Sequence, residues 1–233
     1  MSENRIEKPS RPPTRDLADL VVPRRPAGVP YADGEDFDAQ ALLTANGYTP
    51  EIKDLIDLLN SDLGIFQAAA ARMLGAKGER SATGALEKLA RDTTTEETAR
   101  AQAAFALARM DIPGSKELLA SLLALNPEAS PAPLQAAGSL ARLGDPRGFP
   151  VVRHALDSSN RVVAMIACKQ LYAFAALDGQ PLPGGVKVEV YEVFRRALER
   201  HEGNIDGEAA VQLAELDTER ARAVLAVHLS QKR

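Results

Sequence analysis

The stretch Ala99-Arg100-Ala101-Gln102-Ala103-Ala104-Phe105-Ala106-Leu107 decides the fold, because its frame returns four more times. The copies run Ile65 to Met73, Ala99 to Leu107, Ala132 to Leu140, Val163 to Leu171 and Ile205 to Leu213. The first position is apolar or small. Positions five and six are a small pair each time: Ala69-Ala70, Ala103-Ala104, Ala136-Ala137, Ala167-Cys168 and Ala209-Ala210. Position nine is Met73, Leu107, Leu140, Leu171 and Leu213. At about 100° per residue, positions one, five and nine share one helix face, and the small pair lets another helix approach closely. Successive copies start 34, 33, 31 and 42 residues apart. That period is a helix hairpin, and stacked hairpins share a core that none can build alone. The reading is an all-α, right-handed solenoid of about five hairpins plus a terminal capping helix.

Composition agrees with thin helical layers. Aromatic residues are 4% of the 233, and Trp is absent. The net charge of −4 gives the whole chain no electrostatic case for nucleic acid. A single cysteine excludes an intrachain disulfide and supplies no metal framework. The start Met1-Ser2-Glu3-Asn4-Arg5 leads into proline and charge rather than an apolar run, so no signal peptide is read. No run of ~18 apolar residues occurs, so no membrane span is expected. A cytoplasmic protein without membrane or nucleic-acid partners is the expectation.

Residues 1–34 form an extended or disordered tail in this reading, broken by Pro9, Pro12, Pro13, Pro23, Pro26 and Pro30. It carries one apolar island, Asp16-Leu17-Ala18-Asp19-Leu20-Val21-Val22. The island either packs back on the first repeat or docks on a partner. The solenoid is assigned to residues 35–233. Residues 31–62 hold eight acidic residues against Lys53 alone. Asp36 is placed to cap a short helix through Leu42-Leu43 that Gly47 ends. The first helices of the hairpins are marked by Ile52, Leu55, Ile56 and Leu59; Leu86 and Leu89; Leu118, Leu119, Leu122 and Leu123; Val151, Val152 and Leu156; and Val186, Val190, Val193, Phe194 and Leu198. The β-branched run Val186 to Val190 is assigned to helix because the spacing continues to Leu198. Residues Thr218 to Ser230 read as the cap, with Ala221, Val224, Leu225 and Leu229 inward. The long spacing before the last copy comes from the inserted loop Gly179 to Gly185.

The repeat resembles the HEAT-like family, in particular its phycobilin-lyase-type bacterial form, over about residues 50–230. Ala99-Arg100, Ala103-Ala104 and Ala106-Leu107 match the family's second helix, and Val163, Ala167-Cys168 and Leu171 match it without the Arg. Leu143-Gly144-Asp145-Pro146-Arg147 resembles its inter-repeat turn. The resemblance implies fold more than function, since members include partner-binding scaffolds, chromophore lyase subunits, hydroxylases and DNA repair enzymes.

Few residues suggest chemistry, and no catalytic, cofactor or metal site is assigned. Of the three histidines, only His201-Glu202 forms a pair like those on the iron-binding members, and one pair cannot fill a metal shell. Cys168 is either a reactive thiol or a small hydrophobe in the slot that alanine fills elsewhere, and the second reading is adopted. On the angular count, positions three, four, seven and eleven of each second helix oppose the core face. There the candidate partner-binding residues are Phe105, Leu134, Met165 and Ile166 as apolar anchors, with Arg109, Arg142 and Lys169 around them. The resemblance places second helices on the inner curve, so this face is expected to be concave. The alternative is that some of these residues wedge between repeats. The function expected is a non-enzymatic scaffold that binds a protein partner through an acidic amphipathic segment. The alternative is a phycobilin-lyase-like subunit or other solenoid enzyme that uses the same surface.

Overall fold

The computed structural model describes residues 38–200 and 205–231. The tail and the pair His201-Glu202 lie outside them. The described chain is an all-α solenoid. Its helices are α1 (Ala39–Ala45), α2 (Ile52–Leu58), α3 (Gly64–Lys77), α4 (Thr83–Arg91), α5 (Glu97–Arg109) and α6 (Ser115–Leu122). They continue with α7 (Ala132–Arg142), α8 (Phe149–Leu156), α9 (Arg161–Leu171), α10 (Val190–Leu198), α11 (Ile205–Leu216) and α12 (Glu219–Gln231). Each first helix packs on the second helix that follows it, α2 on α3 through α10 on α11. The second helices also pack directly on one another, α3 on α5, α5 on α7, α7 on α9 and α9 on α11. The first helices make no comparably extensive contact among themselves. No described helix is long and apolar enough to cross a membrane.

The two kinds of helix differ in sequence because they differ in surroundings. In α10, Val190, Tyr191, Val193, Phe194, Ala197 and Leu198 are buried, while Glu192, Arg195 and Arg196 pair with one another outside. That is the one-sided pattern of a helix on a core. In α5, every residue from Ala101 to Ala108 is buried, as is Ala99. A helix buried all round must meet neighbours on every side, and α5 touches α3, α4, α6 and α7. Small residues permit that crowding. A β-carbon added to Gly75 of α3 would lie 2.7 Å from the Ala106 Cα of α5, closer than any real contact. Alanine also has the strongest intrinsic helix preference, so one residue type serves both packing and local structure.

The core divides into two clusters that meet at α7. Ala132, Ala136 and Leu140 belong to the first, and Leu134, Ala137 and Ala141 to the second. Aromatic pairs brace both. Tyr48 meets Phe66 edge to face at 5.1 Å, which fastens the segment after α1 to α3. Phe149 meets Phe174 at 5.5 Å. Phe174 sits on a 3-10 segment, Tyr172–Leu177, that extends α9 and has no counterpart in the expected pattern.

Four local expectations are corrected. The cap of α1 is Asp38, whose carboxylate accepts from the Ala41 N–H at 2.9 Å; Asp36 lies outside the described residues. The helix after the inserted loop starts at Val190, and Val186 is 47% exposed on extended backbone. There the Val186 and Gln180 carbonyls accept from Leu182 and Val188, and Pro181 and Lys187 form an isolated antiparallel bridge. The β-branched residues therefore adopt the extended backbone they favour, up to the point where Asp178 Oδ1 accepts from the Val190 N–H at 2.8 Å. The turn Asp111-Ile112-Pro113-Gly114 leads a glycine to be expected at the left-handed stop of α5, but that conformation falls first on Asp111, at φ 56°, and Gly114 adopts it at φ 77° just ahead of α6. In α12, Ala221 is buried and Val224 and Leu225 are half-buried, but Leu229 is 59% exposed.

Candidate functional site

The candidate surface is built on α5, α7 and α9, and the structure separates its seven residues. Leu134 is fully buried between α7 and the following repeat. Phe105 is 7% exposed, and the exposed Arg109 guanidinium lies over its ring at 5.9 Å. Arg142 at the end of α7 is half-buried, as are Met165, Ile166 and Lys169 on α9. Leu134 is thus a wedge between repeats and offers no side chain to a partner. The solvent-facing remainder is Arg109, Arg142, Met165, Ile166 and Lys169, with the edge of Phe105 beneath Arg109.

Polar groups on the same helices escape the pattern of apolar residues. Gln102 on α5 and Gln170 on α9 are buried, and their Oε1 atoms accept no hydrogen bond among the described residues. Gln170 lies against Gly138 of α7, where an added β-carbon would fall 1.8 Å from Oε1. Gln67 on α3 donates from Nε2 to the Leu59 carbonyl at 3.3 Å.

Basic residues near the turns are committed elsewhere. Arg147 reaches Asp145 Oδ2 and Glu117 Oε2 of α6, each at 2.7 Å. Burial pushes the Asp145 carboxyl up, but the hydrogen bonds from Arg147 outweigh it and hold the group below its ordinary value. The same partners raise Arg147. Arg80 donates to the Met110 carbonyl at 2.8 Å and Lys116 to the Leu143 carbonyl at 3.2 Å. Both place a cation at the C-terminal end of a second helix, where the helix dipole favours it.

Cys168 is buried and free of any disulfide. Burial, with a contribution from Glu208, pushes its thiol up to about 12. It packs among Val163, Ala167 and Leu171 in the second cluster, as the alanine-slot reading requires. His154 is exposed on α8. It lines a hollow of about 310 Å³ with Phe149, Pro150, Arg153, Asp157, Leu182, Pro183 and Val186. This hollow exists because the inserted loop folds back on α8, a tertiary event without periodicity in the sequence.

The match to a family model agrees with this architecture. Residues 52–131, which span α2 to α6, match the family described as HEAT repeats. These hairpins are therefore HEAT-like repeats within an α-solenoid. The crystal structure of an engineered protein is similar at 22% identity and a TM-score of 0.45, over 77% of this chain and 85% of that one. No curated protein matches the chain.

Proposed function

We propose that the chain is a non-enzymatic protein-interaction scaffold whose row of second helices receives an acidic amphipathic segment of a protein partner. HEAT repeats commonly serve as interaction scaffolds. The observation that carries the finer reading is the charge of the first four second helices, the fifth, α11, being acidic. Helices α3, α5, α7 and α9 hold Arg72, Lys77, Arg100, Arg109, Arg142, Arg161 and Lys169, and Glu97 is their only acidic residue. The chain as a whole is at −4. A row of basic helices in an acidic chain favours an acidic ligand by charge complementarity.

Half-buried Met165 and Ile166, one turn from Lys169, supply the apolar part. Methionine adapts its shape to varied partners. The direct stacking of second helices, set against first helices that do not stack comparably, supports an inner curve lined by the second helices. In this reading the apolar residues carry most of the affinity, and the cations set the encounter rate and salt response. The test is capture of the partner from native cell extract by wild type, Met165→Ala with Ile166→Ala, and Arg109→Glu. The expected result is salt-sensitive retention by wild type, at least about tenfold weaker in the apolar double variant. Equal retention by all three, with the fold intact, removes this surface as the site.

A further inference from the structure

The chain carries its own example of the kind of segment that the row of second helices is proposed to receive. Asp16-Leu17-Ala18-Asp19-Leu20-Val21-Val22 lies outside the described residues, between Pro13 and Pro23. Leu17, Leu20 and Val21 keep the spacing of three and four that gathers apolar side chains, and Asp16 and Asp19 supply two negative charges. The flanks hold Arg15, Arg24 and Arg25, so the apolar residues must seat the segment while the aspartates set where it lies.

The row holds groups that such a segment satisfies. Arg109, exposed on α5, lies over the Phe105 ring and pairs with no carboxylate among the described residues. The Arg100 Nε of the same helix is buried and donates no hydrogen bond among them. Gln102 on α5 and Gln135 on α7 share position four of the frame, on the same face as Arg109, and the Oε1 of each is buried without a donor among the described residues. Gln102 as a whole is 3% exposed. Polar groups that have lost water and gained no partner are costly, and each calls for one. The carboxylates of Asp16 and Asp19 are acceptors for guanidinium groups, and main-chain N–H groups are donors for amide carbonyls. Half-buried Met165 and Ile166 on α9 continue the row with apolar surface.

The length of the chain permits the match. Sixteen residues lead from Val22 to Asp38, where the described chain begins ahead of α1. Extended, they reach about 50 Å. Helix α1 packs on α3, and three steps of roughly 8–10 Å separate α3 from α9. We propose that residues 16–22 occupy the row of second helices of their own chain, across α5, α7 and α9, and that a partner must displace them. The proposal rests on the reading of that row as a site for acidic amphipathic segments, and it adds an autoinhibitory occupant. At an effective concentration of about 1 mM, a segment with a Kd of about 0.1 mM fills the row about nine-tenths of the time and weakens any competitor about tenfold.

The probe is a labelled synthetic peptide of residues 14–24, titrated by fluorescence anisotropy into full-length chains. These are wild type, Leu17→Ser with Leu20→Ser, and that pair combined with Met165→Ala and Ile166→Ala. The tail-substituted chain should bind the peptide at least about tenfold more tightly than wild type, and the combined variant should lose that gain. Asp16→Lys with Asp19→Lys, a second way to empty the row, should also bind the peptide more tightly than wild type. Circular dichroism should match wild type throughout. Equal binding by wild type and both tail variants, weakened by Met165→Ala with Ile166→Ala, overturns the self-occupancy and leaves the site standing. A peptide that neither tail variant binds also overturns the self-occupancy. Binding that Met165→Ala with Ile166→Ala leaves unchanged overturns the site and its self-occupancy together.

Discussion

Gly148 lies so close to Ala137 that a β-carbon on it would sit 2.5 Å from both the Ala137 Cα and its Cβ. Gly148 ends the 3-10 turn that begins repeat four, and Ala137 belongs to the small pair of α7. The small pair thus accepts backbone rather than a side chain, and Cα cannot move aside without moving the helix. Gly148→Ala is expected to destabilise by about 1–3 kcal/mol through overpacking. Gly84→Ala on α4 meets nothing within 4 Å and is the control, expected to stabilise by about 0.4–1 kcal/mol. Urea denaturation of both variants checks the pair. Equal stabilities would show that the repeats are not held this closely.

Cys168 fills a position that alanine holds in the other copies. Cys168→Ala should fall within about 1 kcal/mol of wild type, and Cys168→Leu should cost roughly 1–3 kcal/mol. With its thiol pushed up to about 12, Cys168 is protonated at neutral pH, and the thiolate is the reactive form. An aromatic disulfide reagent should therefore label it only in denaturant. Rapid stoichiometric labelling of the native chain contradicts this.

The Asp145–Arg147 pair gives a pH dependence with a definite sign. The folded carboxyl titrates below its ordinary value, so its contribution is present above the unfolded pKa of about 3.9 and is lost as pH falls through the folded value. The stability difference between wild type and Asp145→Asn should be full near neutrality and shrink on acidification below about pH 4. Denaturation curves between neutral and acid pH measure it. A difference that does not change with pH removes the ionised carboxylate from the account.

The fold was legible because the small pair and the leucine at position nine report one physical requirement, close helix approach, five times over. The second helices fall where the frame places them, from α3 to α11. The candidate surface was harder to read. An angular count gives the faces of one helix but not how many neighbours it has. Helices α5 and α7 each have neighbours on nearly every side, so Phe105 on the one and Leu134 on the other, which oppose the hairpin core, are enclosed by other repeats. The signal for this is present in the sequence, since no charged residue occurs between Arg100 and Arg109. Val186 misled for a different reason, since a β-branched residue at helical spacing fits both an extended segment and a helix. The close approach of Arg147 to Glu117 depends on the stacking distance between repeats, which no local pattern encodes.

The central claim is that the row of second helices selects acidic amphipathic segments. Selection of displayed random peptides on the immobilised wild-type chain, followed by calorimetric titration of the enriched peptides, tests it directly. The account predicts peptides with spaced apolar residues and net negative charge, bound at least about tenfold more weakly by Met165→Ala with Ile166→Ala and losing affinity with added salt. Enriched peptides without acidic bias, or binding that the double variant leaves unchanged, would contradict it.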